Sequence, residues 1–305
     1  MKHWNQICTL SLVHFMAFPE LQSGEGDFVS SIHEIGQRNF FGALELGTIE
    51  DSQVRKRVSQ VVQEYDLSIA FGAQPIILGR DLNLNAIDPE IRCFAVQTLN
   101  EFMNQASELD ATSFVIMSGK DPGDDERPLA YDYLAKSISK LCDHAAQFSM
   151  DIVLETFDRS VDKKALVGPS DEAANLAKTL KPSYPQFGLL YDMGHMPLLD
   201  EEPFEALSLL HNYLTEVHLG NCVKTPGSPV FGDKHPRFGC EGGVNDTNEL
   251  VIFLKALFDT GFLSESVSST ALPWVGFEVR PQQGETSQQI LDNIQHTWTK
   301  AWEQL

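Results

Sequence analysis

Short apolar runs alternate with longer amphipathic segments from one end of the chain to the other. The short runs fall at 7–16, 41–47, 67–72, 112–118, 151–156, 187–192, 214–219 and 275–280, and they predict strands. They are apolar throughout rather than alternating, as expected of parallel strands covered on both faces. Between them, segments at about 25–37, 52–65, 87–108, 129–149, 170–181, 203–213, 247–261 and 287–303 carry helical periodicity. Ile290, Ile294, Trp298 and Trp302 recur at every fourth position of the last one, and Leu250, Phe253, Leu254 and Leu257 form a similar stripe before it. Ser170 and Asp171 lead into EAANLAKTL as a capped helix start, and Pro182 follows its end.

Strict alternation of strand and helix predicts an α/β protein. Eight units favour a closed (β/α)8 TIM barrel over an open doubly wound sheet, and no GxGxxG follows an early strand. The chain has 305 residues, which suits one barrel of about 250 residues with insertions. With no linker or low-complexity tract, residues 1–305 read as a single domain. The irregular stretches 119–128, 156–169 and 220–246 each follow a strand C-terminus, the catalytic face of a barrel.

Four of the strand-like runs end in ligand-type side chains: VLETFD, LLYDMGH, TEVHLGN and GFEVRP deliver Glu155, Asp192, His195, His218 and Glu278. An acid or imidazole buried at such a place is costly unless it is paired, neutral or bound to a cation. Any one alone also reads as a satisfied rim residue; together, on successive strands, they read as a site. Glu155, Asp192, His218 and Glu278 make a mixed oxygen and nitrogen donor set, suited to Mn²⁺, Co²⁺, Mg²⁺ or Zn²⁺ rather than Ca²⁺ or a thiolate-bound metal. His195 follows Asp192 in a DxxH pair. Asp233 and His235 form DKH in a loop rich in glycine and proline, which reads either as an exposed polar loop or, with His195, as a group for substrate or a second cation. Lys234 and Arg237 are the cations nearest to it. Glu45 near the end of strand two, His14 at the end of strand one and Arg280 beyond Glu278 are further substrate-binding candidates, with a core position the alternative for His14.

The formal net charge is -21, from 43 acids against 22 bases. No basic run appears, so nucleic acid is not an expected partner. No run approaches the roughly 18 apolar residues of a membrane span, and the start, MKHWNQICTLSLVHFMAF, reads as a first strand rather than a signal peptide. Five cysteines without a CxxC fit reduced thiols and a cytoplasmic setting.

In the order and placement of these residues, the chain resembles the xylose isomerase-like TIM barrels: sugar and sugar-phosphate isomerases, ketose 3-epimerases and related enzymes. The resemblance runs end to end and rests on Glu155, Asp192 with His195, His218 and Glu278 closing strands five to eight. It implies that Glu155, Asp192, His218 and Glu278 bind one divalent metal, often Mn²⁺, and that Glu155 and Glu278 double as the acid/base pair. It also implies that His195 contacts substrate and that Arg237 fills a strand-seven loop position. Barrels of this kind often associate, so a homo-oligomer is part of the expectation. The DKH departs from the epimerase pattern and is similar to the DxH of apurinic-site DNA endonucleases, where it binds an additional zinc. That pattern also needs histidines ending strands three and four, and here those ends read IAFGAQP and VIMSGKD. The expected function is therefore isomerisation or epimerisation of a small carbohydrate through an enediolate. A two-metal hydrolase or lyase acting on a sugar-like substrate is the alternative, and a non-catalytic sugar-binding barrel is a third reading.

Overall fold

The computed structural model describes residues 2–266 and 272–305. Eight parallel strands close into a barrel in sequence order: β1 (Thr9–Val13), β2 (Ala43–Leu46), β3 (Ser68–Gly72), β4 (Ser113–Met117), β5 (Asp151–Glu155), β6 (Phe187–Asp192), β7 (Leu214–Gly220) and β8 (Trp274–Glu278). β1 pairs with both β2 and β8, which closes the ring. The helices are α1 (His14–Ala17), α2 (Phe28–Gln37), α3 (Ser52–Glu64), α4 (Gln74–Gly79), α5 (Pro89–Glu108), α6 (Arg127–Ala145), α7 (Ser170–Leu180), α8 (Pro203–Leu210), α9 (Thr247–Asp259) and α10 (Ser287–Trp302).

Three local expectations are corrected. The first strand stops at Val13, and His14 opens the single turn of α1. Its apolar run gives no signal of the change, because a buried strand and a buried helical turn read alike over so few residues. The helix α4 escapes notice for the same reason: QPIILG is too short to display a period. The start of α7 has no side-chain cap of its own; Glu201, from beyond β6, accepts the Ser170 N–H at 2.7 Å.

Between strands and helices lies the main apolar layer, including Leu44, Phe71, Phe114, Ile116, Leu154, Leu189, Tyr191, Val217 and Phe277 against helix residues such as Leu254, Ile294 and Trp298. Full burial of each large side chain is worth roughly 1.5–3 kcal/mol. Inside the barrel the two halves differ. Ala70, Val115, Val153 and Leu190 form a small apolar cluster on β3 to β6. The β7, β8, β1 and β2 side instead buries Glu216, His218, Ser11 and Glu45. Parallel strands alternate their side chains between two faces, so the interior of this half is polar from rim to centre.

The segments 118–126, 156–169 and 221–246 leave the C-terminal ends of β4, β5 and β7 and gather over one face. Lys120 bridges to Ala165, and Lys163 reaches Asp233. No described helix is long and apolar enough to cross a membrane, and all five cysteines are free.

Candidate metal and substrate site

Strand geometry brings the rim residues together. Glu155, Asp192 and Glu278 are the last residues of β5, β6 and β8, and His218 lies opposite Asp192 in the β6–β7 register. One donor atom from each of Glu155, Asp192, His218 and Glu278 lies within 4.8 Å of the others, and all four residues are buried. His218 Nδ1 sits 3.1 Å from Glu278 Oε2 and 3.6 Å from Glu155 Oε1. Gln74, at the start of α4, donates to Glu155 Oε2 at 2.7 Å. The Gly194 N–H donates to Asp192 Oδ1, leaving Oδ2 without a partner.

The other ring nitrogen of His218 faces deeper into the barrel. Its Nε2 is 3.3 Å from Glu45 Oε2 and 3.7 Å from Glu216 Oε1. Ser11 donates to Glu216 Oε1 at 2.8 Å, and Gln74 also donates to Glu45 Oε1 at 3.1 Å. Burial, together with Glu216 and Glu155, raises the Glu45 pKa to about 7 against the pull of His218. Burial opposes charge on His218, yet the surrounding carboxylates hold its pKa well above the usual range. Gly276 is opposite His218 in the β7–β8 register, and a Cβ there would stand 2.7 Å from the imidazole. Only a glycine gives the ring this space.

The outer residues converge as well. His195 Nε2 and His235 Nε2 lie 3.1 Å and 2.5 Å from Asp233 Oδ1. Each imidazole has its Nδ1 against a backbone carbonyl, His195 on Thr156 O at 2.7 Å and His235 on Glu278 O at 3.1 Å. An N–H donated to those carbonyls fixes each ring with its Nε2 at Asp233 Oδ1; a proton holds that contact when no ion is bound, and its loss would free the Nε2 lone pair for a metal. Asp192, His195, His235 and Glu278 form a second buried group of convergent donors, sharing Asp192 and Glu278 with the first. Burial opposes the His195 and His235 cations, but Asp233 and its neighbours outweigh it: His195 rises well above the ordinary range and His235 rises to about 9. Burial raises Asp233, but the two imidazoles hold it well below the ordinary carboxylate range.

Another contributor, Lys163, comes from the loop after β5, where no motif marks it. Asp158, fully buried after β5, accepts the backbone N–H groups of Val161, Asp162 and Lys163 at 2.7–2.8 Å. That turn presents Lys163 Nζ to Asp233 Oδ2 at 2.5 Å, and Asp162 to the Asp233 N–H at 3.2 Å. Lys163, Gln74 and Glu216 were not among the residues expected at the site. Glu216 carries a signal in hindsight: it precedes His218 by two positions, so it shares the inward face of β7.

The rim group borders a cleft of about 290 Å³ lined by Phe15, Gln22, Gln74, Phe157, Lys163, Asp233, Lys234, His235, Glu278, Arg280 and Gln282, among others. Arg280 is thus at the cleft. Arg237 is not among its lining residues; it pairs with Glu285 at 2.9 Å. Glu45 lies below the rim, inside the barrel. His14 does not line the cleft: it is buried between Phe18 and Phe28, with its Nε2 2.8 Å from Ser31 Oγ. Burial lowers its pKa to about 3. A larger groove of about 400 Å³ between α6 and α7 contains none of the rim ligands.

The donor set fits a divalent metal. Glu155 Oε1, Asp192 Oδ2, His195 Nε2 and Asp233 Oδ1 are buried at the rim with no hydrogen-bond partner, while deeper in the barrel His218 Nε2 and Glu45 Oε2 stand 3.3 Å apart. Buried polar atoms are normally satisfied, and so many orphaned acceptors facing one another call for a cation.

A closed eight-stranded parallel barrel with an arc of acids and imidazoles on its C-terminal rim defines a class of barrel with a metal-type centre. A family model for the xylose isomerase-like TIM barrel matches residues 33–281, and the chain belongs to that family. Among solved structures it is similar to a D-tagatose 3-epimerase-like protein, with 17% identity, TM-score 0.70 and coverage of 97% of this chain and 99% of the other. It is also similar to the IOLI protein with a bound zinc atom, at 13% identity and TM-score 0.72, covering 96% and 97% of the two chains. A family 2 AP endonuclease from Brucella melitensis follows at 17% identity and TM-score 0.65, covering 92% and 95%. At these identities the likeness is one of fold. A search of curated protein sequences found no match.

Proposed function

We propose that this protein is a divalent-metal-dependent isomerase or epimerase of a small sugar or sugar phosphate. The observation that carries the reading is the pair of buried glutamates, Glu155 and Glu278, whose donor atoms converge with those of Asp192 and His218 beside a sugar-sized cleft. The likeness in fold to the D-tagatose 3-epimerase-like protein supports it. Glu155, Asp192, His218 and Glu278 would hold the ion, with Mn²⁺ the leading candidate and Co²⁺, Mg²⁺ or Zn²⁺ compatible with the same donors. When bound, such an ion acts as a Lewis acid that favours negative charge on adjacent substrate oxygens.

The residues divide the remaining work. Glu278 borders the cleft, and although burial raises its pKa, His235 and His218 outweigh that and lower it. It is therefore ionised near neutral pH and placed to take the proton beside the carbonyl, giving an enediolate. Glu155, which accepts from Gln74, is the acid partner and delivers a proton on the other face, so that Glu278 ends protonated and Glu155 ends as the carboxylate. His195 and Lys163 hold Asp233, and Phe157 covers His195 with ring centroids 4.4 Å apart, so water is kept from the outer group. Acid–base help of this kind is typically worth about 10²- to 10⁴-fold. The same reading takes residues 1–305 as one catalytic domain, in the cytoplasm, and leaves association into a homo-oligomer open to measurement.

A second reading, a two-metal hydrolase or lyase on a sugar-like substrate, is favoured by one observation: the His195 and His235 donors converge with those of Asp192 and Glu278 next to the first group, with Asp233 against both imidazoles. DNA as the substrate is opposed by the net charge of -21 and by strand ends at Gly72 and Met117 that are not followed by histidine. Incubating the metal-loaded protein with ketoses and ketose phosphates in deuterated water distinguishes the two. The isomerase reading expects deuterium beside the carbonyl and its loss in Glu155→Gln. Hydrolytic or eliminative products without such exchange would establish the second reading instead.

A further inference from the structure

The cations around the cleft are not equivalent. Lys163 is tied to Asp233 at 2.5 Å and Lys234 to Asp162 at 2.9 Å. Arg280, which lines the same cleft, has no carboxylate within 4.0 Å among the described residues. Its Nη1 meets Gln22 Oε1 at 3.1 Å and Met16 Sδ at 3.9 Å, both neutral. Its backbone is fixed, since the Arg280 N–H donates to His235 O at 2.7 Å. A half-buried guanidinium has five donors in a planar fork, and leaving it with one amide oxygen is unfavourable unless an anion completes it. In a chain of net charge -21, an unpaired cation at the mouth of an acidic centre is a specific placement rather than a general surface property.

We propose that the cleft mouth is an anion subsite centred on Arg280, with Gln22, Gln282 and Lys234 around it, and that the substrate is an open-chain sugar derivative bearing a terminal phosphate or carboxylate. The proposal rests on the isomerase reading of the rim. Arg280 lies two residues past Glu278, about 7 Å of extended chain, so an anion held there leaves several carbons between itself and the rim group. A guanidinium pairs with either oxyanion in a bidentate fashion. Lys234, half-exposed on the other side of the cleft, is already paired with Asp162 at 2.9 Å, so the anion falls to Arg280.

The test is calorimetric binding to the metal-loaded protein of two matched pairs: D-ribulose with D-ribulose 5-phosphate, and D-fructose with D-fructuronate. The subsite predicts that one anionic member binds about 10- to 100-fold more tightly than its neutral partner. The phosphate and carboxylate pairs identify which anion it takes. Arg280→Gln should collapse that ratio, Arg280→Lys should restore part of it, and Gln22→Glu should collapse it by placing a carboxylate on the intact Arg280. Equal affinities within both pairs, absence of binding by either anion, or a preference that survives both Arg280→Gln and Gln22→Glu would overturn the proposal. The Gln22→Glu protein keeps the question answerable if Arg280→Gln fails to fold. Binding preference without deuterium exchange would leave the subsite standing and remove the isomerase reading.

Discussion

His218 works through both of its nitrogens. Nδ1 faces Glu155 and Glu278, while Nε2 faces Glu45 and Glu216. With Nδ1 as the donor to a cation, the proton sits on Nε2 and the deeper carboxylates orient the ring, a role that typically changes metal affinity about 10- to 100-fold. Glu216→Gln should weaken metal binding by that factor, read by titration with Co²⁺ absorbance, with little change in the unfolding midpoint of the metal-free protein. Unchanged affinity would reduce Glu216 to a buried bystander. His14 gives a separate pH signature. Its folded pKa of about 3 lies below the ordinary 6.5, so the unfolded chain binds the extra proton. The stability it contributes is complete above pH 6.5 and is lost as pH falls toward 3, by about 2 kcal/mol at pH 5. Denaturation at pH 7 and pH 5 should show a smaller loss in His14→Gln than in the native chain. The residues that were legible in the sequence are those where a charge terminates an apolar run: Glu155, Asp192 and Glu278 end strands, and no buried strand carries such a residue without cause. His14 sits at the end of an equally apolar run, but its ring packs against Phe18 and Phe28, and only a three-dimensional neighbourhood reveals that.

Loops turn the rim into a chemical centre. Asp158 gathers three backbone N–H groups and so holds the 159–164 turn that carries Lys163 to Asp233, a contact spanning 70 residues. Removing a buried carboxylate with several charge-assisted bonds costs about 3 kcal/mol. Asp158→Ala should therefore lower stability by that amount and speed amide exchange at 161–163; a protein with native exchange there would show that the turn holds without it. The DKH loop places His235 in the left-handed region, φ 48°, which is uncommon for a residue with a side chain. Its Nδ1 and the Arg280 N–H both join this loop to the end of β8. His235→Ala should cut the affinity for a second cation while sparing the first, measurable as a change in metal stoichiometry at saturating ion. DKH was visible in the sequence as a motif within a glycine-rich loop with Lys234 and Arg237 as its nearest cations, but Lys163 as its partner was not. Such choices depend on how two loops from different strands fold against each other, and no local pattern encodes that.

Over the whole molecule, barrel closure follows from eight apolar strands that recur in order and pair with their sequence neighbours. That much was legible because helix and strand periods differ and because parallel strands are apolar on both faces. The polar half of the barrel interior was not, since its members are spread over β7, β8, β1 and β2. It explains how an acidic chain tolerates so many buried carboxylates at one place: imidazoles and Lys163 balance them, and the proposed ion would complete that balance. A cation that binds only the folded state stabilises it by about 2.7 kcal/mol at one hundred times its dissociation constant, so chelation should lower the unfolding temperature, and a melt indifferent to chelator would count against any such ion. Glu155, Asp192, His218 and Glu278 are proposed to form one divalent-ion centre. Metal content per chain, measured after saturation with Mn²⁺ and removal of excess, tests it most directly on the native protein beside His218→Ala. The native chain should retain an ion that the variant loses; an equal content in both, or none in the native chain, would rule the centre out.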